Sequence, residues 1–294
     1  MHSVWCFQKS HYVALWSVQS NSDARLFADD CLVYRQIRNQ RDAAALQEVL
    51  AGRMGTQVAD EFPPGKVHNN KILPLLTSYA FHGHQMKVVK RGMCLGDTIF
   101  QDLQWTNHIH TTIRKVTSRF SFLRRNLGQY TPSAKATAYC TLIRPAIKYA
   151  SSEWDPHQAT LTREVEQVQR RAARFIYNNY RDTSTGCVTI LLHQLEWDSL
   201  QHRRTIQRLV LCYKIRNQLV DIDPEKYYTP GDIWTRGSHR LRQQRASKEV
   251  YRNSFFPRSV RDWNRVPKPV TAASTIEKLR TRPAIVPWTQ LQAQ

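Results

Sequence analysis

The chain has 294 residues, of which 41% are hydrophobic, and its 43 Lys and Arg against 23 Asp and Glu give a formal net charge of +20. This composition excludes a wholly disordered chain, and the length corresponds to one or two domains. No apolar run approaches the roughly 20 residues of a membrane span, and nothing near Met1 has the pattern of a signal peptide. The sequence therefore predicts a cytoplasmic or nuclear protein without a membrane partner.

Two adjacent carboxylates, Asp29 and Asp30, stand between the apolar runs at residues 26–27 and 32–34. This pattern predicts a β-hairpin whose flanks are buried and whose tip leaves the two carboxylates free. Mg²⁺ prefers carboxylate oxygen, and pairs of such ions promote phosphoryl transfer, so Asp29 and Asp30 are the candidate catalytic and metal-binding residues. The alternative is an ordinary polar turn without a ligand.

Helical periodicity begins near Ile113. Apolar residues spaced by three and four predict a helix over 113–127, and a second helix is expected from Thr131 towards Ala150 with a kink near Pro145. The third predicted helix has an apolar stripe from Leu161 to Ile176, and residues 187–218 add one or two more. These elements predict a helical bundle.

The C-terminal part, residues 219–294, is expected to be rich in loops because Pro and Gly interrupt its periodicity. Its aromatic residues Phe255, Phe256 and Trp263 could stack on nucleic-acid bases, but packing onto the bundle is the favoured interpretation. The six cysteines are scattered without zinc-ligand spacing, which predicts reduced core residues and no structural zinc.

The positive charge is concentrated after residue 112. Residues 1–112 carry 11 basic and 9 acidic side chains, residues 113–218 carry 18 and 7, and residues 219–294 carry 14 and 7. A polyanion is the expected partner, because Lys and Arg release counterions from phosphates. The candidate nucleic-acid-binding residues are Arg124, Arg125, Arg163, Arg170, Arg171, Arg174, Arg203 and Arg204.

Among these arginines, Arg163, Arg170 and Arg174 recur at offsets of seven and four and should share one helix face. A merely solvated basic face is the alternative for any single helix.

Several segments together resemble the reverse transcriptases of non-LTR (LINE-type, jockey-like) retrotransposons. Phe-Ala-Asp-Asp at residues 27–30 resembles the palm motif of that family, and Cys-Leu-Gly at 94–96 resembles its primer-grip region. Further similar segments lie at residues 103–109, 122–127, 138–145, 149–157, 169–175, 195–200, 254–258 and 261–264.

The resemblance implies an α+β, mainly α fold. Residues 1–112 would form an incomplete palm remnant with a small β-hairpin, residues 113–218 a helical thumb-like domain, and residues 219–294 a basic C-terminal segment. The implied activity is RNA-directed DNA synthesis, with Mg²⁺ at Asp29 and Asp30 and with RNA, DNA or an RNA–DNA hybrid held through its phosphate backbone. No small-molecule cofactor is implied.

The sequence also departs from the family. The third carboxylate of the palm and the fingers are not recognisable before Asp29, Cys94 stands where Tyr is usual, and Asp97 replaces a β-branched residue. We therefore expect the C-terminal part of a reverse transcriptase that does not polymerise alone. The alternatives are a non-enzymatic basic module that binds nucleic acid and the decayed relic of an element.

Overall fold

The structure is a computed structural model, and it divides into two compact units, Met1–His108 and Ile109–Gln294. The fold is α+β and mainly α, as expected. The described residues are 2–8, 23–27, 30–36, 40–51, 68–70, 80–81, 84–85, 87–88, 91–94, 97–100, 102, 104–231 and 240–281.

Among its described residues, the first unit contains short strands and the helix α1, at Gln40–Ala51. Its described strands are His2–Gln8 (β1), Asp23–Phe27 (β2), Asp30–Gln36 (β3), His68–Asn70 (β4), Ala80–Phe81 (β5), His84–Gln85 (β6), Lys87–Val88 (β7), Arg91–Cys94 (β8) and Asp97–Phe100 (β9). One sheet has the order β2-β3-β1-β4-β7, while β5 pairs with β6 and β8 with β9.

The expected hairpin is formed by β2 and β3. These strands are antiparallel, and Phe27 at the end of β2 lies opposite Asp30 at the start of β3. Asp30 therefore adjoins the turn, and Asp29 lies outside the described residues.

Asp97, which stands where the family usually has a β-branched residue, is buried in β9. Its Oδ1 lies 3.5 Å from Nε2 of His108, which is also buried, and Nδ1 of His108 accepts a hydrogen bond from the Thr98 N–H. A buried carboxylate is costly unless it is paired, and the imidazole supplies that partner. The sequence alone does not reveal this pairing across the β9–helix junction.

Helices build the described part of the second unit. They are Thr106–Leu127 (α2), Pro132–Ala138 (α3), Arg144–Lys148 (α4), Ser151–Trp154 (α5), Ala159–Ile176 (α6), Cys187–Gln194 (α7), Leu200–Arg216 (α8), Pro224–Tyr227 (α9), Glu249–Arg252 (α10), Phe255–Arg265 (α11), Lys268–Thr271 (α12) and Ile276–Thr281 (α13).

The irregularity predicted near Pro145 is a π-helical turn at Tyr139–Ile143, between α3 and α4. Proline lacks an N–H and its ring clashes with the carbonyl four residues earlier, so an α-helix cannot continue unchanged through it. The N–H of Arg144 bonds to the carbonyl of Tyr139, five residues back, which widens the helix just before the proline. Pro132 lies in the first turn of α3, as predicted, and Thr131 is the N-cap, because its Oγ1 accepts the Ala134 N–H.

The apolar stripe of α6 is buried as the periodicity predicted. Its six apolar positions are Leu161, Val165, Val168, Ala172, Phe175 and Ile176. A second core joins α8 to the C-terminal part of the chain, where Trp263 of α11 is 1% exposed and packs with Cys212 and Tyr228. The aromatic residues Phe255, Phe256 and Trp263 of the C-terminal part therefore pack onto the helical bundle, which was the favoured interpretation.

Candidate nucleic-acid interface

A buried ion cluster around Asp155 fixes the helices that form the candidate interface. The Asp155 carboxylate follows α5 and accepts hydrogen bonds from Nε of Arg204 at 2.6 Å, from Nη1 of Arg208 and from Nη2 of Arg258 at 2.8 Å. Arg208 also donates through Nε to Asp262 Oδ2 at 2.7 Å. These five residues, the Asp155 cluster, link α5, α8 and α11.

The cluster keeps its charges although its centre is buried. Burial alone would raise the pKa of Asp155, but Arg258, Arg208 and Arg204 together lower it below its ordinary value. Burial likewise opposes the charge of Arg208, and the carboxylates of Asp262 and Asp155 outweigh it, so the pKa of Arg208 is raised. Three guanidinium groups face two carboxylates, which leaves one net positive charge in the cluster.

A groove of about 810 Å³ lies beside the cluster, between α6, α8 and α11. Arginines from α6 and α11 line both of its sides. We call this surface the arginine groove and define it by Arg163, Arg170, Arg258, Arg261 and Arg265.

Two carboxylates that line the groove, Glu166 and Asp262, are engaged in bonds within the protein. Glu166 accepts the N–H of Gln201 at 2.6 Å and the N–H of Leu200 at 3.2 Å, so its charge caps the positive N-terminal end of α8. Asp262 is bonded to Arg208. The charge that remains available to a ligand in this groove is therefore positive.

His157 is a titratable member of the groove lining. Burial and then the neighbouring Arg258 lower its pKa, and Glu249, 3.7 Å away, only partly offsets them. His157 is therefore neutral at neutral pH and becomes a further cation only in acid.

The structure separates the predicted arginines of α6. Arg163 and Arg170 line the groove, whereas Arg171 is exposed and does not line it. Arg174 bonds within the protein: Nη1 donates to the carbonyls of Asn179 at 3.2 Å and Asp182 at 2.6 Å, and Nη2 donates to Cys187 Sγ. Arg174 thus fixes the loop that follows α6, because its side chain reaches beyond the helix end at Ile176.

The other predicted arginines lie elsewhere in the second unit. Arg124 and Arg125 are exposed in the last turn of α2, where Arg124 lies over the Tyr180 ring at 5.6 Å. Arg203 is partly exposed on α8, 3.9 Å from Asp198. Arg204 is 2% exposed and belongs to the Asp155 cluster, so it does not present its charge to a ligand at the surface.

Three arginines of the groove were not among the sequence candidates: Arg258, Arg261 and Arg265 of α11. Their spacing of three and four residues is a helical stripe. That signal was available in the sequence, but the segment was expected to be rich in loops.

The expected magnesium ligands remain a prediction. Asp29 lies outside the described residues and only the backbone of Asp30 is described, at the start of β3. Among the residues that the structure describes, no three His, Cys, Asp or Glu side chains come together as a metal site. In the same residues, no helix is both long and apolar enough to span a membrane. Cys140, Cys187 and Cys212, whose side chains the structure describes, are free thiols.

Comparison of the chain with protein-family models gave no match, and comparisons with curated proteins and with solved structures gave none either.

Proposed function

We propose that the second unit binds the phosphate backbone of RNA, DNA or an RNA–DNA hybrid through the arginine groove. The observation that carries this proposal is the convergence of five arginines from α6 and α11 on one groove whose two carboxylates are already engaged. A guanidinium group presents paired N–H donors in the geometry that phosphate oxygens accept. Such contacts position a nucleic acid without reading its bases, so little sequence preference is expected.

The Asp155 cluster supports this binding by orienting one of the groove arginines. Arg258 donates to both the carboxylate and the backbone carbonyl of Asp155, which restricts its side chain before any ligand arrives. A donor that is held in place loses less conformational entropy on binding than a free side chain does.

We further propose that the chain acts as the C-terminal part of a non-LTR retrotransposon reverse transcriptase, in the cytoplasm or nucleus. The support is the sequence resemblance together with the hairpin of β2 and β3, whose register leaves Asp30 beside the turn. In such an enzyme the groove would hold the template–primer, while Asp29 and Asp30 would hold Mg²⁺. The chain alone should not extend a primer. When an upstream palm and fingers are joined to it, Mg²⁺-dependent synthesis that Asp29→Ala abolishes would support the enzymatic proposal, and binding without synthesis would favour the basic module.

The binding proposal is tested by fluorescence anisotropy with a labelled RNA–DNA hybrid between about 50 and 200 mM salt. The triple variant Arg163→Gln/Arg170→Gln/Arg265→Gln should have a slope of log affinity against log salt concentration that is smaller in magnitude by about two to three. Each phosphate contact contributes roughly 0.9 to that slope. The charge-matched control replaces Arg181, Arg242 and Arg245, which are exposed and do not line the groove. An equal loss in both variants would contradict a specific role for the groove.

A further inference from the structure

A second group of cations gathers away from the groove. It comprises Arg144 and Lys148 of α4, Arg203 of α8 and Arg280 of α13, which we call the second cationic cluster. The groove uses Gln201, Thr205 and Arg208 of α8. Successive helix residues turn by about 100°, so Arg203 projects from roughly the opposite side of α8.

Aromatic packing holds Arg144 in place within this cluster. Its guanidinium carbon lies 4.4 Å from the centroid of the Trp197 ring and 5.4 Å from that of Tyr139. The two rings stack on one another with centroids 4.7 Å apart. Cation–π attraction to both rings orients the guanidinium group.

Several nitrogens of the cluster lack a hydrogen-bond acceptor. Nε and Nη2 of Arg144 and Nε of Arg203 are buried and unpaired in the described structure. Asp198 lies 3.9 Å from Nη2 of Arg203, a long contact with a carboxylate that is 54% exposed. Buried N–H groups in native proteins nearly always have partners, so an acceptor that enters between Arg144 and Arg203 would satisfy donors that no described protein group satisfies here.

The charges of the cluster also repel one another. Burial lowers the pKa of Lys148, and Arg203, Arg144 and Arg280 lower it further. Burial and then Arg144 lower the pKa of Arg203 more than Asp198 raises it. The cationic forms of these side chains would therefore be stabilised by an anion that enters between them.

We propose that the second cationic cluster binds a phosphate group, supplied either by a free polyphosphate or by the backbone of a nucleic acid. Phosphate fits better than a single carboxylate because it offers several acceptor oxygens and more negative charge to donors that come from three helices. This site is distinct from the arginine groove, and the inference does not depend on the groove's function.

The test uses the intact chain and inorganic triphosphate, with binding measured by titration calorimetry at low salt. The double variant Lys148→Gln/Arg280→Gln should weaken binding about tenfold, as expected for the loss of charge-assisted contacts. The matched control is the groove variant Arg163→Gln/Arg170→Gln, which should retain the site's affinity. Wild-type affinity in the first variant, or an equal loss in the control, would overturn the proposal.

Thermal unfolding separates binding from a structural role. Without ligand, Lys148→Gln/Arg280→Gln should melt at the same temperature as the wild type or higher, because the substitutions relieve repulsion. Triphosphate should raise the melting temperature of the wild type more than that of the variant. A variant that melts lower without ligand but gains the full ligand-induced increase would overturn the proposal.

Competition identifies the source of the phosphate. A short single-stranded RNA is added to the groove variant loaded with triphosphate. Displacement of triphosphate would support the site and assign it to backbone phosphates, whereas retention of triphosphate would support the site and assign it to a free polyphosphate. This variant lacks Arg163 and Arg170, two of the five groove arginines, so RNA that binds at the groove competes less with binding at the second cationic cluster.

Discussion

The Asp155 cluster and the arginine groove share helix α11 and the same residue type, but they use arginine for opposite purposes. In the cluster, Arg204 and Arg208 of α8 are buried around the Asp155 carboxylate, and Arg258 of α11 bonds to the same carboxylate from the groove. In the groove, Arg261 and Arg265 follow Arg258 along α11 but face a surface whose carboxylates are engaged elsewhere. The net charge of a segment therefore does not locate a binding site, whereas the distribution of its few carboxylates does.

The largest effect is expected from breaking the cluster. Asp155→Ala would leave Arg204, Arg208 and Arg258 with one carboxylate, Asp262, among them. Removing one partner of a buried ion pair typically costs about 3–5 kcal/mol, so the free energy of unfolding in urea should fall by about that amount.

A second substitution checks the reason for this loss. Adding Arg204→Met to Asp155→Ala removes one stranded charge, and it should recover part of the stability, because an apolar side chain of similar length tolerates the interior. A cost below about 1 kcal/mol for Asp155→Ala would mean that the cluster does not stabilise the fold.

An intermediate effect should distinguish two arginines that look alike in the sequence. Arg174→Gln should lower the free energy of unfolding by about 1–2 kcal/mol, because it removes hydrogen bonds from a charged donor to the Asn179 and Asp182 carbonyls. Arg170→Gln should leave stability within about 0.5 kcal/mol and lower the salt slope of nucleic-acid binding by about 0.9. Equal effects of the two substitutions on both measurements would contradict the distinction.

The helices were predictable because their signals are local. The stripe of α6, the cap at Thr131 and the irregularity before Pro145 depend on residues within a few positions of one another. The hairpin was likewise predictable from two apolar runs and a polar turn, and the pairing of Phe27 with Asp30 agrees with a turn at the predicted position.

The roles of individual arginines were not predictable, because their partners lie far away in sequence. Arg258 bonds to Asp155, 103 residues earlier, and Arg204 bonds to it across 49 residues. Helical spacing shows that Arg203 and Arg204 point in different directions, but it does not show that only Arg204 meets a buried carboxylate. Whether an arginine stabilises the fold or presents its charge to a ligand therefore depends on its tertiary contacts.

The smallest expected effect is a pH dependence of stability that arises from His202 of α8 and His157 of the arginine groove. Burial lowers the pKa of His202, on α8, and burial with Arg258 lowers that of His157, in the groove. In the unfolded chain both histidines should have a pKa of about 6.5. Below that pH the unfolded state binds more protons than the folded state, because the folded-state pKa values are lower. The free energy of unfolding therefore falls between about pH 6.5 and the folded-state pKa values.

Melting temperatures measured from about pH 7.5 down to pH 5.5 should therefore decrease, and His202→Gln should reduce the decrease.

His157→Gln tests the effect of pH on nucleic-acid binding. Once protonated, His157 adds a positive charge to the groove, so the affinity of the wild type for nucleic acid at fixed salt should rise in acid. That rise should shrink in His157→Gln and persist in His202→Gln. If both variants kept the wild-type rise, His157 would not face the bound phosphates.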